Sequence, residues 1–323
     1  MIRLISENKA FRGEFKLSTY FLQEDCTMKQ GRSGSIWRLA LFLTVIWMVT
    51  WGITAVANAQ TGTACTRENL KAVTDKYFAA LVAHDPSAVP LDPKVRYTEN
   101  AKEVQVGKGI WETAAKVLLK RGLVDTERCG THTQAVLEEN GRPILFGTRL
   151  AIENNKITEI ESFVAREKEF AFELGGAKGV LETKDQDWET IIPKEQRSSR
   201  QDMIAAANNY YDMFSNDPKV FTPFAKVCDR WENGFQTTKG GMIMGKESPA
   251  HDCSPKGLVI TTHGPRRFLV DQEQGVVVAY VLFAGGLPDF HMFRMRNGKV
   301  DLIQAVVGAG APSIGWPIEP LSK

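Results

Sequence analysis

The chain repeats itself. Residues 65–107 read CTRENLKAVTDKYFAALVAHDPSAVPLDPKVRYTENAKEVQVG, and residues 198–240 read SSRQDMIAAANNYYDMFSNDPKVFTPFAKVCDRWENGFQTTKG. At an offset of 133 residues, without a gap, Arg67 falls on Arg200, Tyr77 on Tyr210, and Phe78 on Tyr211. Pro90 falls on Pro223, Glu99 on Glu232, Asn100 on Asn233 and Gly107 on Gly240. So many distinctive residues in one frame indicate a duplicated domain. Two copies of so long a period exclude a solenoid.

Each copy reads helix first and strands later. Leu70, Val73, Tyr77 and Leu81 recur at helical spacing behind a capping Thr66, and Met203, Ala206, Tyr210 and Phe214 do so behind Ser199. Both helices stop at Asp-Pro, at Asp85-Pro86 and Asp217-Pro218. Residues 131–166 then give three strands turning at Asn140-Gly141 and Asn154-Asn155, both good hairpin dipeptides. The expected counterparts in the second copy are Gln274-Gly275 and Asn297-Gly298. The offset grows to 143 there, which reads as an insertion of Gly285–Phe290 in the middle strand. The expected organisation is therefore an N-terminal extension and signal peptide over 1–59, a first domain over 60–170, a charged linker over 171–198, and a second domain over 199–323.

The leader rests on a basic stretch around Lys29, Arg32 and Arg38, an apolar run from Leu39 to Ile53, and Ala57-Asn58-Ala59. That order describes a secretory signal cleaved before Gln60, with Met28 as the expected start; an uncleaved anchor is the alternative. The expected location is periplasmic or secreted, with the membrane touched only through the signal segment. Residues 1–59 hold 7 of the 40 Lys+Arg and 4 of the 38 Asp+Glu. The remainder then carries 33 against 34, with no basic stripe, so a nucleic-acid partner is not expected. Four cysteines remain after the leader, and an even number in an exported chain suggests disulfides. One bridge per domain, Cys65–Cys129 and Cys228–Cys253, is preferred among three connectivities, with four free thiols as the alternative.

A leading helix followed by a meander belongs to the α+β class. With that order of elements, HDPSAVPLDPKVRYTEN and ENNKITEIESFVAR are similar to secreted members of the nuclear transport factor 2-like (NTF2-like, SnoaL-like) superfamily. The resemblance implies two tandem cone-shaped domains, each a helix cradled by a curved antiparallel sheet with a pocket at its mouth. It also implies a small-molecule ligand or substrate. Ketosteroid isomerase-like members of the superfamily place a tyrosine at the helix position of Tyr77 and Tyr210, where its hydroxyl steadies an oxyanion. Fold alone chooses no function.

From the residues, Glu99 and Glu232 sit at equivalent strand positions, Glu99 beside Tyr97 and Glu232 beside Arg230. A carboxylate held against an apolar wall titrates nearer neutrality, which suits a general base. His132, on a predicted strand, offers an acid–base partner for Glu99. The expected catalytic set is Glu99, Tyr77 and His132, with Tyr97, Trp111, Phe146 and Phe163 as the wall and Tyr210 and Glu232 lining the second pocket. Each has a plain structural reading: core aromatics, a strand histidine, and a Glu232–Arg230 ion pair. His251, Asp252, Cys253 and His263 lack zinc-site spacing, so no metal is expected. Without a phosphate loop, dinucleotide fingerprint or G-x-S-x-G elbow, any catalysis is expected to be cofactor-free.

Two functions follow as expectations. One is a cofactor-free lyase, isomerase or dehydratase acting on a small hydroxylated, aromatic-type compound. The other is a non-catalytic binding protein using the same pockets. The first domain is expected to carry the main activity, because Arg230 occupies Glu232; the rival view makes Asp289 and His291 the specialised pair. Whether a homo-oligomer forms is left open.

Overall fold

Residues 65–169, 175–243, 245–255, 259–260 and 262–308 are described by a computed structural model. The expected leader, its cleavage site and the start at Met28 lie outside the described residues. The first domain runs α1 (Arg67–Val82), β1 (Leu91–Glu99), β2 (Lys102–Glu103), α2 (Ile110–Thr113), β3 (Ala114–Asp125), β4 (Gly130–Glu139), β5 (Arg142–Glu153) and β6 (Lys156–Ala165). A short helix α3 (Gly176–Leu181) intervenes. The second domain runs α4 (Arg200–Asp212), β7 (Phe224–Glu232), β8 (Phe235–Gln236), β9 (Lys239–Ile243), β10 (Lys246–Ala250), β11 (Arg266–Asp271), β12 (Val276–Phe283), β13 (Leu287–Arg296) and β14 (Lys299–Val307).

Both helices begin where the sequence placed them. The Thr66 hydroxyl accepts from the Asn69 amide, and the Ser199 hydroxyl accepts from the Asp202 amide. Such caps satisfy otherwise orphaned donors and contribute about 1 kcal/mol each. Leu70, Val73, Tyr77 and Leu81 are buried, as are Met203, Ala206, Tyr210 and Phe214. Two disulfides, Cys65–Cys129 and Cys228–Cys253, tie each domain internally. The first joins the start of α1 to the β3–β4 turn. The second joins β7 to the chain after β10.

The two main sheets have matching orders, β2-β1-β6-β5-β4-β3 and β8-β7-β14-β13-β12-β11. They are mixed, not purely antiparallel as expected: β1 runs parallel to β6, and β7 to β14. A whole meander separates the members of each pair, so the connection is long enough for parallel pairing. A second correction concerns the repeat. The counterpart of the Asn140-Gly141 turn is Ala284-Gly285, between β12 and β13, whereas Gln274-Gly275 joins β11 to β12. Gly285–Phe290 is therefore that turn and the start of β13, not an insertion. The extra residues of the second copy lie earlier, in the separate β9–β10 hairpin and the chain leading to β11. Turn dipeptides mark hairpins without saying which hairpin, which is why the register slipped.

Each sheet buries both faces. One face holds its own helix: Ala135, Phe146, Ile160 and Val164 pack on α1, and Val277, Ala279, Phe293 and Ile303 pack on α4. The opposite faces meet each other, with Val136, Leu145 and Phe163 against Val278, Tyr280 and Phe290. The segment expected to be an irregular linker contributes to this seam, because Ala177 and Val180 of α3 are buried in it.

Candidate functional site

The helix-side face of each sheet, with its helix, encloses a buried core that serves as the chamber of that domain. In the first, the Tyr77 ring is fully buried and meets Trp111 edge-on at 5.4 Å between centroids. Phe146 and Tyr97 belong to the same core. The Thr148 and Ser162 hydroxyls face the Tyr77 phenol, whose titration burial pushes upward. The Tyr77, Thr148 and Ser162 hydroxyls and the Trp111 indole N–H are all buried without a hydrogen-bond partner. Such atoms cost about 1–3 kcal/mol each unless a water or ligand group meets them.

Glu99 sits beside this group, but its carboxylate is engaged. Oε1 accepts from the Tyr97 hydroxyl and from the Ile110 amide at 2.7 Å. The approach depends on Gly109: a Cβ there would lie 2.4 Å from either carboxylate oxygen, and the backbone is left-handed at φ +68°. Gly109 thus lets the start of α2 seat on Glu99.

His132 and Phe163 are not part of this chamber. Both lie on the seam face, where the His132 Nδ1 shares a hydrogen bond with the Tyr280 hydroxyl and its ring contacts Phe290 at 4.8 Å. Phe163 meets Phe290 edge-on at 5.7 Å. The expected pairing of His132 with Glu99 does not occur, because β4 alternation sends His132 and the cone-facing Ala135 to opposite faces. The residue at the His132 position of the second copy is Val278 by strand register.

The second chamber keeps the tyrosine and the glutamate and adds charge. Arg230 stands where Tyr97 does. Its Nε lies 3.1 Å from Glu232, and Nη1 donates to the Tyr210 hydroxyl at 3.3 Å and to the Cys253 carbonyl at 3.0 Å. Across from it, β13 presents Asp289 and His291 on one face. The His291 Nδ1 lies 2.7 Å from an Asp289 oxygen, with both side chains almost wholly enclosed. The Tyr210 and Tyr211 rings stand 5.4 Å and 5.3 Å from the imidazole. Burial raises the Asp289 carboxyl above the usual range, opposed by His291 and assisted by the charge of Glu232. Burial also raises the titration of both tyrosines. The second Asp289 oxygen, the His291 Nε2 and the Tyr211 hydroxyl have no hydrogen-bond partner.

The sequence offered Asp289 and His291 as the rival pair, beside a supposed insertion in the middle strand. The signal that finds them is alternation: Asp289, His291 and Phe293 share one face of β13, while Phe290 and Met292 share the other, and both faces are buried. Polar residues in a strand buried on both sides need partners in the core. Elsewhere, His251 pairs with Asp229 at 2.8 Å and Cys253 is disulfide-bonded. Among the described residues, no group of three or more His, Cys, Asp or Glu side chains is arranged to hold a metal ion.

A family model described as a domain of unknown function (DUF8021) matches residues 63–164 and again 196–307. The chain belongs to this family. Its two matched segments coincide with the two domains, so this protein carries the DUF8021 unit in tandem. No curated protein matches the chain. Among solved structures, an NTF2-like protein of unknown function from Cytophaga hutchinsonii is similar at 10% identity, covering 31% of this chain and 92% of its own, with a TM-score of 0.27. Another from Burkholderia xenovorans shares 14% identity over 39% of this chain and 97% of its own, with a TM-score of 0.28. A protein named as a candidate ketosteroid isomerase, from Kribbella flavida, shares 15% identity over 33% and 82%, at 0.28. These likenesses carry no chemistry over to the present chain.

Proposed function

We propose that this tandem DUF8021 protein is exported and performs general acid–base chemistry on a small hydroxylated, aromatic-type compound, in a reaction of the lyase, isomerase or dehydratase kind. The observation that carries the reading is the enclosed Asp289–His291 pair with its unpartnered Nε2, on a ring 5.3 Å from that of Tyr211, whose hydroxyl is also unpartnered. With Nδ1–H donating to Asp289, the neutral imidazole presents Nε2 as the proton acceptor. Tyr211, and Tyr210 with its oxygen already facing Arg230, offer hydroxyl donors to an oxygen that gains charge as the proton leaves. The expected chemistry is thereby moved from Glu99, Tyr77 and His132 to the second domain. The first chamber, with Tyr77, Tyr97, Trp111 and Phe146, is left as a binding pocket or scaffold. Two disulfides fit an oxidising compartment, and among the described residues no helix is long and apolar enough to cross a membrane.

The test is a turnover screen of small hydroxylated aromatic compounds on the purified chain, followed by variants at matched folding stability. His291→Gln is expected to lower kcat at least 100-fold, and Glu99→Gln less than threefold. A compound that binds but is not turned over, with His291→Gln changing its affinity alone, would favour the non-catalytic binding protein.

A further inference from the structure

The seam between the two sheets has two ends related by the duplication, and their charges do not match. By strand register Arg121 is the equivalent of Arg267, and Gln304 is the equivalent of Glu161. At one end Arg267 reaches across the seam to pair with Glu161. Glu161 also takes Arg149 at 3.0 Å, and Arg149 pairs in turn with Glu159. Two buried guanidinium groups there meet two carboxylates. At the other end Gln304 and Leu302 stand where Glu161 and Glu159 do, and Met292 stands where Arg149 does.

Arg121 is therefore a buried cation without a carboxylate against it. Its Nε donates to Gln134 at 2.8 Å, and its terminal nitrogens donate to the Thr183 carbonyl and hydroxyl at 3.2 and 3.0 Å. All three acceptors are neutral, and each terminal nitrogen keeps a second N–H. Gln304 reaches the same Thr183 hydroxyl at 3.4 Å, so it stands one hydroxyl away from the guanidinium. Burial lowers the Arg121 titration to about 9, opposed by the charge of Glu189, whose side chain is exposed. The guanidinium stays charged at neutral pH, and a buried charge without a partner is costly.

A cleft of about 450 Å³ opens at this end, between α1, the edge strand β3 and residues 184–190. Arg121, Lys71, Lys120, Lys184 and Trp188 line it, and the guanidinium carbon lies 5.6 Å from the Trp188 ring. Lys120 pairs with Asp75, whereas Lys71 and Lys184 are exposed and have no carboxylate partner among the described residues. The two acidic lining residues are already engaged. Glu189 accepts the Gly122 amide at 3.0 Å, and Asp187 lies 3.8 Å from Arg296. The cleft thus keeps an excess of positive charge, and its volume suits a small molecule. We propose that it binds a small organic acid, whose carboxylate gives Arg121 the counter-charge that Glu161 gives Arg267. The two N–H groups left on Arg121 match the two oxygens of a carboxylate. The site shares no residue with the Asp289–His291 pair and does not depend on that pair being catalytic.

Calorimetric titration of the full chain with citrate, benzoate and inorganic phosphate tests this without any turnover. At least one of the two organic acids should saturate a single site per chain, with an affinity that falls as salt is added. Gln304→Glu copies the charge-balanced end of the seam, so it should resist urea better than the parent and bind the acid at least about tenfold more weakly. Lys184→Glu, on the exposed rim, should weaken the acid at least about threefold. Failure of both organic acids to saturate the chain overturns the proposal, and so does binding of phosphate alone. An affinity unchanged by Gln304→Glu overturns it as well. Should Gln304→Glu not fold, an affinity unchanged by Lys184→Glu decides against it in the same way.

Discussion

Arg67, on the first helix of the first domain, pairs with Asp271 at the end of β11 in the second. The duplication returns the favour, because Arg200, the equivalent of Arg67, pairs at 2.7 Å with Asp125, the equivalent of Asp271. Each aspartate also accepts a backbone amide from the other domain. Val124 donates to Asp271 at 3.0 Å and Val270 to Asp125 at 2.9 Å. The four contacts are reciprocal, so the tandem packs as two copies around an approximate two-fold axis.

Asp125 is fully enclosed and also accepts the Glu127 and Arg128 amides, so its charge is met by several donors at once. Removing one partner of such a pair costs about 3–5 kcal/mol. Asp125→Asn keeps the shape and some acceptors, so a loss of about 2–4 kcal/mol is expected in urea unfolding. Arg200→Met should cost a similar amount, and the double variant less than the sum of the two. Strict additivity would show that the reciprocal contact carries no energy.

His132 makes the seam acid-sensitive. Burial lowers its titration from 6.5 to about 3, next to Tyr280, Arg149, Arg267 and Glu161. The unfolded chain takes up this proton near 6.5 while the folded chain refuses it until about pH 3. The stability it contributes is present above 6.5 and is lost as the pH falls toward 3, at up to about 1.4 kcal/mol per unit. His132→Gln retains a partner for Tyr280 and cannot titrate, so its stability should fall less between pH 6 and 4. Identical slopes for the two proteins would refute the assignment.

Gly109 is predicted to be irreplaceable. Gly109→Ala places a methyl 2.4 Å from the Glu99 carboxylate on a left-handed backbone, so the start of α2 must move. The left-handed geometry alone costs about 1–2 kcal/mol, and the clash adds to it. Glu99→Ala in the same chain should recover the steric part and leave the backbone part. A Gly109→Ala protein as stable as the parent would mean that Glu99 does not hold this loop.

The sequence carried the duplication, both helix stripes with their caps, and both disulfides, because those rest on local spacing and on cysteine parity. It also placed Tyr77, Tyr97, Glu99, Trp111 and Phe146 together, the first three from the gapless part of the repeat. It misplaced His132 and Phe163 for a definite reason. Alternation separates the faces of a strand but does not say which face meets the helix, and here both are buried. The Arg230–Glu232 pair was visible at i and i+2, whereas Asp289–His291 stood only as the rival pair, because a register slip read part of β13 as an insertion.

The last prediction concerns Asp289 and runs opposite in sign to that of His132. Burial raises its folded titration above the ordinary value of 3.8, so the folded chain holds a proton that the unfolded chain has already released. In that window the native state binds more protons, and stability falls as the pH rises through it. Asp289→Asn removes the effect while keeping the side-chain shape. The stability of the parent relative to Asp289→Asn should therefore decline as the pH rises above 3.8, by at most about 1.4 kcal/mol per unit. His291→Gln sharpens the test, because the imidazole is the group that opposes the upward shift. Without it, the carboxyl should hold its proton to higher pH and the declining window should extend upward. Measuring unfolding free energies of the three proteins across that range decides the matter. Parallel curves for parent and Asp289→Asn would mean that the carboxyl is solvated in the folded chain, and the enclosed proton-transfer pair would lose its footing.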